Sequence, residues 1–338
     1  LKEITLKPII HHDEYSALLE KPINDYFAEA IFEPLLDVVR EAGIKPNEKD
    51  QAKHACESPV KKALRDGAIY YAASQGMFTG KFTAPVSREL RGYGAVYSGG
   101  VFRLKPEDVP LEIKAATVQS EAASREVHLR VLDVLDEMTR NLPQAQTGVK
   151  MDKPIEKLTA ALDKQLSKSF DGVPKKTMPA PAPIRPENVE ATAKSVESNL
   201  EISLKDFSLK QIKILREKIL ENLRNGGRSD RLGKIIEARY GIAKRYAAAR
   251  AEHEAALLIA KYREQRYRAM GIQSYIWETQ HDERVRHTHR ILDQTRQLWD
   301  APPVTNSNGD RNNPGEDFNC RCVSRGILKL ALSQIHPN

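Results

Sequence analysis

Five prolines fall within thirteen residues, Pro174 to Pro186, in the run PKKTMPAPAPIRP. Proline cannot donate a backbone hydrogen bond and fixes its own φ, so neither a helix interior nor a sheet interior can pass through such a run. The stretch is expected to lie extended as a semi-rigid spacer. It divides the chain into residues 1–172, a proline-rich linker over 173–187, and residues 188–338. A chain of 338 residues is long enough for two or three domains. No run approaches 18 apolar residues, so no membrane-spanning helix is expected. The opening LKEITLKPII carries too short an apolar run for a signal peptide. Three cysteines make no disulfide framework, which fits a reducing cytosol.

Before the linker the pattern is helical. Phe32, Leu35, Leu36 and Val39 fall on one helical face, with Gly43 as a C-terminal stop and a kink expected near Glu33, ahead of Pro34. SPVKKALRDGAIYYAAS reads as a second helix with Ser58 as N-cap and Pro59 in the first turn. Residues 77–105 change character: two short apolar-aromatic runs flank Ser98-Gly99-Gly100, a β-hairpin signal. One long amphipathic helix is expected from Pro110 to Leu142, carrying an apolar stripe from Val118 to Met138, and a further helix over KPIEKLTAALDKQLSKSF.

After the linker, Ser208 with Gln211 reads as a capping box for a helix closed by Gly226 and Gly227. A short helix over SDRLGKIIEARYG and a long one ending at Gly271 follow. From Leu209 to Gly271 there are 16 Lys/Arg against 7 Asp/Glu, a local charge of +9 in a chain whose total is +7. Charge of this kind is most often two solvated helix faces. It also suits weak, salt-sensitive contact with a phosphate backbone, for which Lys234, Arg239, Lys244 and Arg245 are the candidates.

The unusual side chains lie in one place, between Tyr275 and Gly326. Both tryptophans, Trp277 and Trp299, bracket His281, His287 and His289, and Cys320 and Cys322 follow with one residue between them. Thiolates with an imidazole are ordinary zinc ligands, and if zinc binds here the set is His289, Cys320 and Cys322. A single intervening residue is tighter than the usual C-x₂₋₄-C spacing. The preferred reading is therefore metal-free, with both thiols small, buried and inert on a strand. Asp282 is expected to pair locally with Arg284 or Arg286. PPVTNSNGDRNNPG lacks the register of a calcium loop and reads as a surface loop.

Thirteen of these residues stand in a pattern: Trp277, Asp282, Arg284, Arg286, His289, Leu292 and Asp293, then a variable loop, then Pro314, Gly315, Asn319, Cys320, Arg321 and Cys322. The stretch resembles the signature of the phage Mu F-like minor head (head morphogenesis) proteins. A shorter likeness lies at Gly80, Phe82, Ser87, Glu89, Leu90, Gly94 and Ala95. The resemblance implies a mostly helical α+β chain, its helical N-terminal half holding a small β-hairpin and its C-terminal half a helical/α+β module. It further implies a structural minor capsid protein of the virion, assembled in the host cytoplasm, with the portal protein and other head proteins as partners and no membrane. Non-specific contact with phage DNA is a further expectation.

Two other classes stay in view. A nuclease- or toxin-like enzyme would use Asp282, His287 and His289, but no Gly-rich phosphate loop, H-E-x-x-H or G-x-S-x-G accompanies them. A DNA-binding regulator would use the helix pair around GGRSDRLGKIIEARYGIAKR as a helix-turn-helix. The expectation is no catalytic residue and no cofactor.

Overall fold

The structure, a computed structural model, describes residues 2–9, 13–42, 58–72, 75–171, 173, 186–227 and 229–330. Nearly all of the proline-rich linker, Gly43 and Cys56 lie outside the described residues. In chain order the elements are β1 (Lys2–Thr5), α1 (Asp13–Phe27), a π-helical turn (Ala28–Phe32), α2 (Glu33–Ala42), α3 (Pro59–Arg65), β2 (Ile69–Ala72) and β3 (Met77–Gly80). Next come α4 (Ala84–Gly92), β4 (Val96–Ser98), β5 (Val101–Arg103), α5 (Leu111–Asn141) and α6 (Asp152–Ser169). Last are α7 (Pro186–Arg224), α8 (Asp230–Ala269), β6 (Ser274–Glu278), α9 (His287–Leu292), β7 (Arg296–Leu298) and β8 (Val323–Leu330). With 62% of the described residues helical and two small antiparallel sheets, the fold is mostly helical α+β.

Two compact units are assembled from interleaved stretches, so they do not follow the boundaries expected at 172 and 188. One comprises residues 1–27, 146–206 and 242–338; the other comprises 28–145 and 207–241.

The second of these units holds the sheet β2-β3-β5-β4. Ser58 caps α3 by accepting the Lys61 amide at 3.1 Å, with Pro59 in the first turn, as its sequence dictates. That helix then stops at Arg65. Gly67 takes φ 68°, and Ile69, Tyr70 and Tyr71 leave as a strand, correcting the expected longer helix. β-Branched and aromatic side chains prefer the pleat once a glycine has broken the helix. The hairpin forms where expected, with Gly99 and Gly100 at φ 61° and 82°, the two positive values a tight two-residue turn needs. The core is apolar: Leu64, Ile69, Tyr71, Phe78, Leu90, Phe102 and Ile113 are all buried. The expected kink before Pro34 takes the form of the π-turn over Ala28–Phe32. On α5 the stripe from Val118 to Met138 is mostly covered, with Val127, Val131, Leu132 and Leu135 buried, while Val118 and Leu129 remain exposed.

The first unit holds the sheet β1-β8-β6-β7, antiparallel throughout. β1 was not legible as a strand: its four residues pair with β8 in the register Lys2 to Leu330 through Thr5 to Ile327. On α8, Ala243, Ala247, Ala251 and Ala255 recur every fourth position and are fully buried, a seam narrow enough for close helix packing. Ile259, Arg263 and Tyr267 continue the same spacing toward the sheet.

Two helix boundaries differ from expectation. α7 runs unbroken through Ser208 and Gln211, both buried, so no capping box starts there. α8 runs unbroken through Gly241, joining what reads as two helices into one. An isolated glycine costs only about 1 kcal/mol against alanine in a helix, and packing along so long an element offsets it. The helix-turn-helix reading falls with that join.

Candidate functional site

The site belongs wholly to the unit containing β6 and β8. Along β6 the buried Tyr275 and Trp277 are two residues apart and pack into different neighbours. Tyr275 lies against Trp299 with ring centroids 4.3 Å apart, and its hydroxyl donates to Asn313 Oδ1 at 2.9 Å. Trp277 meets the His289 ring edge-on at 5.4 Å. Both tryptophans are buried; Trp299 packs on Tyr275 and Tyr267, and Trp277 packs on the histidine.

The polar residues of the signature hold the loops. Asp293 Oδ1 accepts from the Thr279 amide at 2.7 Å and from its hydroxyl at 3.0 Å, tying the exit of β6 to the end of α9. The Asp282 carboxylate meets the Arg321 guanidinium through two contacts, at 2.8 and 2.7 Å, and accepts the Arg284 amide at 3.1 Å. The expected pairing with an Arg284 or Arg286 side chain is thereby corrected. A planar carboxylate takes the forked guanidinium that the other half of the signature delivers to it. Arg321 is the main reason the Asp282 carboxyl is held below its usual range. Arg286 instead donates to the Phe318 carbonyl.

The second half of the signature needs two unusual backbone positions. Gly315 sits at φ +96°, and a Cβ there would stand 3.0 Å from Ala260 Cβ on α8. Asn319 takes φ 54°, the left-handed region that asparagine enters more readily than other side chains. The Cys320 amide then donates back to the Asp317 carbonyl at 2.9 Å. Both cysteines lie in the turn before β8, not on the strand itself.

This turn brings together what the spacing left apart. Cys320 Sγ and Cys322 Sγ each lie 3.5 Å from His289 Nδ1, and all three side chains are buried. Their donor atoms fall within 4.8 Å of one another. The other ring nitrogen, Nε2, lies 3.2 Å from Asp317 Oδ2, though neither of those two atoms has an aligned hydrogen bond. Asp317 is itself held by Asn312 at 2.9 Å. Burial pulls the His289 pKa down, but Asp317 and Cys320 outweigh it and raise it to about 9. Hydrogen bonding from Cys322 and His289 lowers Cys320 against the opposing effect of burial, while Cys322, left with the shared proton, is raised.

One residue of the site was not read from the sequence. Arg263 is 2% exposed, donates to the carbonyls of Ile9 and Pro314 at 3.2 and 3.4 Å, and has no carboxylate partner among the described residues. Burial lowers its pKa to about 10, with Tyr267 and the two cysteines opposing that fall. The available signal was its place four residues from Ile259 and from Tyr267 on an otherwise apolar face. A separate cavity of about 180 Å³ opens on the cluster, lined by Gln280, Arg284, Val285 and Arg286 together with His289 and both cysteines.

The remaining candidates do not converge. His287 and His281 are exposed, and no hydrogen bond or ion pair joins Asp282, His287 and His289 among the described residues. Lys234, Lys244 and Arg245 are exposed on α8 and Arg239 is half-buried; Lys234 and Arg239 fall in one unit, Lys244 and Arg245 in the other.

Residues 213–325 match the family model described as phage Mu protein F like protein. Over this segment the chain is similar to phage Mu F-like proteins. An uncharacterized protein of Haemophilus influenzae (strain ATCC 51907 / DSM 11121 / KW20 / Rd) is 35% identical over 97 residues, 29% of this chain and 19% of that protein. The chain thus spans under a fifth of the length of that curated relative. No solved structure matches it. Among the described residues no helix is long and apolar enough to cross a membrane.

Proposed function

We propose, from a chain whose residues 213–325 are similar to those of phage Mu F-like proteins, that it is a minor structural component of a tailed-phage head that associates with the portal during assembly. The supporting observation is how the signature is used. Trp277, Asp282, Asp293, Gly315, Asn319 and Arg321 all serve to build and close one small module, through the buried indole, the two carboxylate clasps and the two unusual backbone turns described above. A sequence pattern spent on its own fold suits a building block better than an enzyme. The nuclease- or toxin-like reading has little to stand on, since Asp282 is clasped by Arg321 and His289 faces the thiols.

The apolar stripe on α5 is mostly buried, with Val118 and Leu129 exposed, so the proposal concerns the whole chain and assigns no contact surface. Co-expression of the tagged chain with the portal protein, followed by sizing of the captured complex, tests it. Recovery of a portal ring carrying the chain is expected; rings and heads that assemble without ever retaining it would overturn the reading. Contact with packaged DNA is part of the same proposal and rests on the exposed basic residues of α8. Binding to random duplex should weaken steeply with salt, and Lys234→Ala with Lys244→Ala should each flatten the slope by about one. Binding indifferent to salt would remove DNA from the proposal.

A further inference from the structure

We propose that His289, Cys320 and Cys322 bind one thiophilic divalent ion of the zinc class, through Nδ1 and two thiolates, with an exchangeable ligand in the fourth position. The geometry carries this. Zinc bonds of about 2.3 Å to sulfur and about 2.0–2.1 Å to nitrogen at tetrahedral angles put a sulfur and a nitrogen ligand about 3.6 Å apart. The two sulfur-to-nitrogen edges here are both 3.5 Å, on the same ring nitrogen. Two thiols packed as inert fillers have no reason to share one imidazole nitrogen at one distance. The one-residue spacing that argues against a shared site is accommodated by the turn at Asn319 and by Arg321, which is drawn off to Asp282 between the two sulfurs.

The surroundings fit the same ion. A metal-bound histidine generally offers its other nitrogen to a carboxylate, which fixes ring orientation and tautomer. Asp317 stands at 3.2 Å from Nε2, leaving Nδ1 for the metal. The buried Arg263 lines a small cavity with both cysteines and, among the described residues, hydrogen-bonds only carbonyls, so anionic sulfurs would supply the charge it lacks. On binding, the two protons shared among the thiols and the imidazole pass to solvent, two metal–sulfur bonds and one metal–nitrogen bond form, and the two thiolates cancel the ion's charge. Two thiolates and an imidazole select zinc over magnesium or calcium. The fourth position faces the cavity that Arg284 and Arg286 help to line, where water or a small anion can sit.

Metal analysis of the full chain, together with cobalt(II) substitution, decides the matter. The expected result is one ion per chain and, with cobalt, thiolate-to-metal charge-transfer absorption with the intense visible bands of a tetrahedral site. Cys322→Ser and His289→Gln should lose the ion, Cys56→Ser should keep it, and Asp317→Asn should bind about 10–100-fold more weakly. A folded wild-type chain that takes up neither zinc nor cobalt, with two thiols reactive only after denaturation, would overturn the proposal. So would an intact mass two hydrogens light, marking a Cys320–Cys322 disulfide, or an ion that survives both ligand substitutions. If a ligand variant fails to fold, the wild-type cobalt spectrum decides alone.

Discussion

The molecule contains two four-stranded antiparallel sheets, and they fill their interiors in opposite ways. Around β2-β3-β5-β4 the buried side chains are aliphatic and aromatic, and Glu89 works at the margin, accepting the Val60 amide at 2.9 Å. Around β1-β8-β6-β7 the interior admits Thr279, His289, Thr305, Asn313, Asp317 and Ser324, with Arg263 on the helix beneath. Among the described residues the buried aspartate, glutamate and arginine side chains, Glu254, Arg263, Arg266 and Asp317, all belong to the second sheet's unit, which also buries His289, while the other unit buries His128. A buried polar group costs stability unless it is partnered, so an interior of this kind persists only where its partners are all specified. One sheet is held by area removed from water and the other by a set of matched contacts.

The largest test of that contrast is truncation of one fully buried ring in each sheet. Phe102→Ala and Trp277→Ala should each cost about 3–5 kcal/mol in denaturant melts. Only the second should also disturb the cysteine–histidine cluster, seen as a change in thiol reactivity. Equal thiol reactivity in the two variants would mean the polar cluster does not depend on the indole against it.

Glycine substitution should separate the sheets next. Gly315→Ala meets both a positive φ and a contact at 3.0 Å, and about 2–4 kcal/mol is expected. Gly99→Ala, with nothing within 4 Å, should cost only about 1–2 kcal/mol for its conformation. Thermal melts in which the two lose the same amount would deny the close approach at Gly315.

Asp293→Ala should cost about 1–3 kcal/mol by stranding the Thr279 amide and hydroxyl. Asp293→Asn should recover most of that, because its amide oxygen still accepts. A loss unchanged in the asparagine variant would point to charge instead of hydrogen bonding.

The smallest effect is a pH slope. Burial raises the Glu254 pKa, with Arg250 opposing it from 2.7 Å. A raised carboxyl pKa contributes stability that is full below its unfolded value and lost as pH rises through the folded one. The glutamine variant should therefore gain on the wild type from about pH 4.5 upward, and a difference flat with pH would contradict the assigned cause. The apolar core contains no carboxylate to give such a slope.

Legibility in the sequence followed the same divide. The hairpin at Ser98-Gly99-Gly100, the Ser58 cap and the long helix at 111–141 were read correctly because each depends on neighbours in the chain. β1 was missed because nothing in Lys2–Thr5 marks a strand until β8 lies beside it. Asp282 was given the wrong arginine for a similar reason: Arg284 and Arg286 are near in sequence, while Arg321 arrives from 39 positions away. The helix breaks at Ser208 and Gly241 were over-read, because local capping and propensity are weak beside packing along a long helix. In the cluster, the ligand set could be named from residue types, but the distances could not. They depend on backbone turns at Asn319 and Gly315 that set where each sulfur points.

The pairing of β1 with β8 has a temporal consequence. A ribosome delivers Ile327–Leu330 more than 300 residues after Lys2–Thr5, so the sheet cannot be completed until all of the intervening chain has been made. Contacts of such long sequence separation form slowly, because the loop must be closed before it is rewarded. Until then β1 and the edge of β6 that β8 will cover present unpaired backbone groups, edges open to other strands. A fragment cut to residues 213–330 would carry the free edge of β8 permanently, since it keeps Ile327–Leu330 and lacks β1, and it should aggregate where the full chain does not.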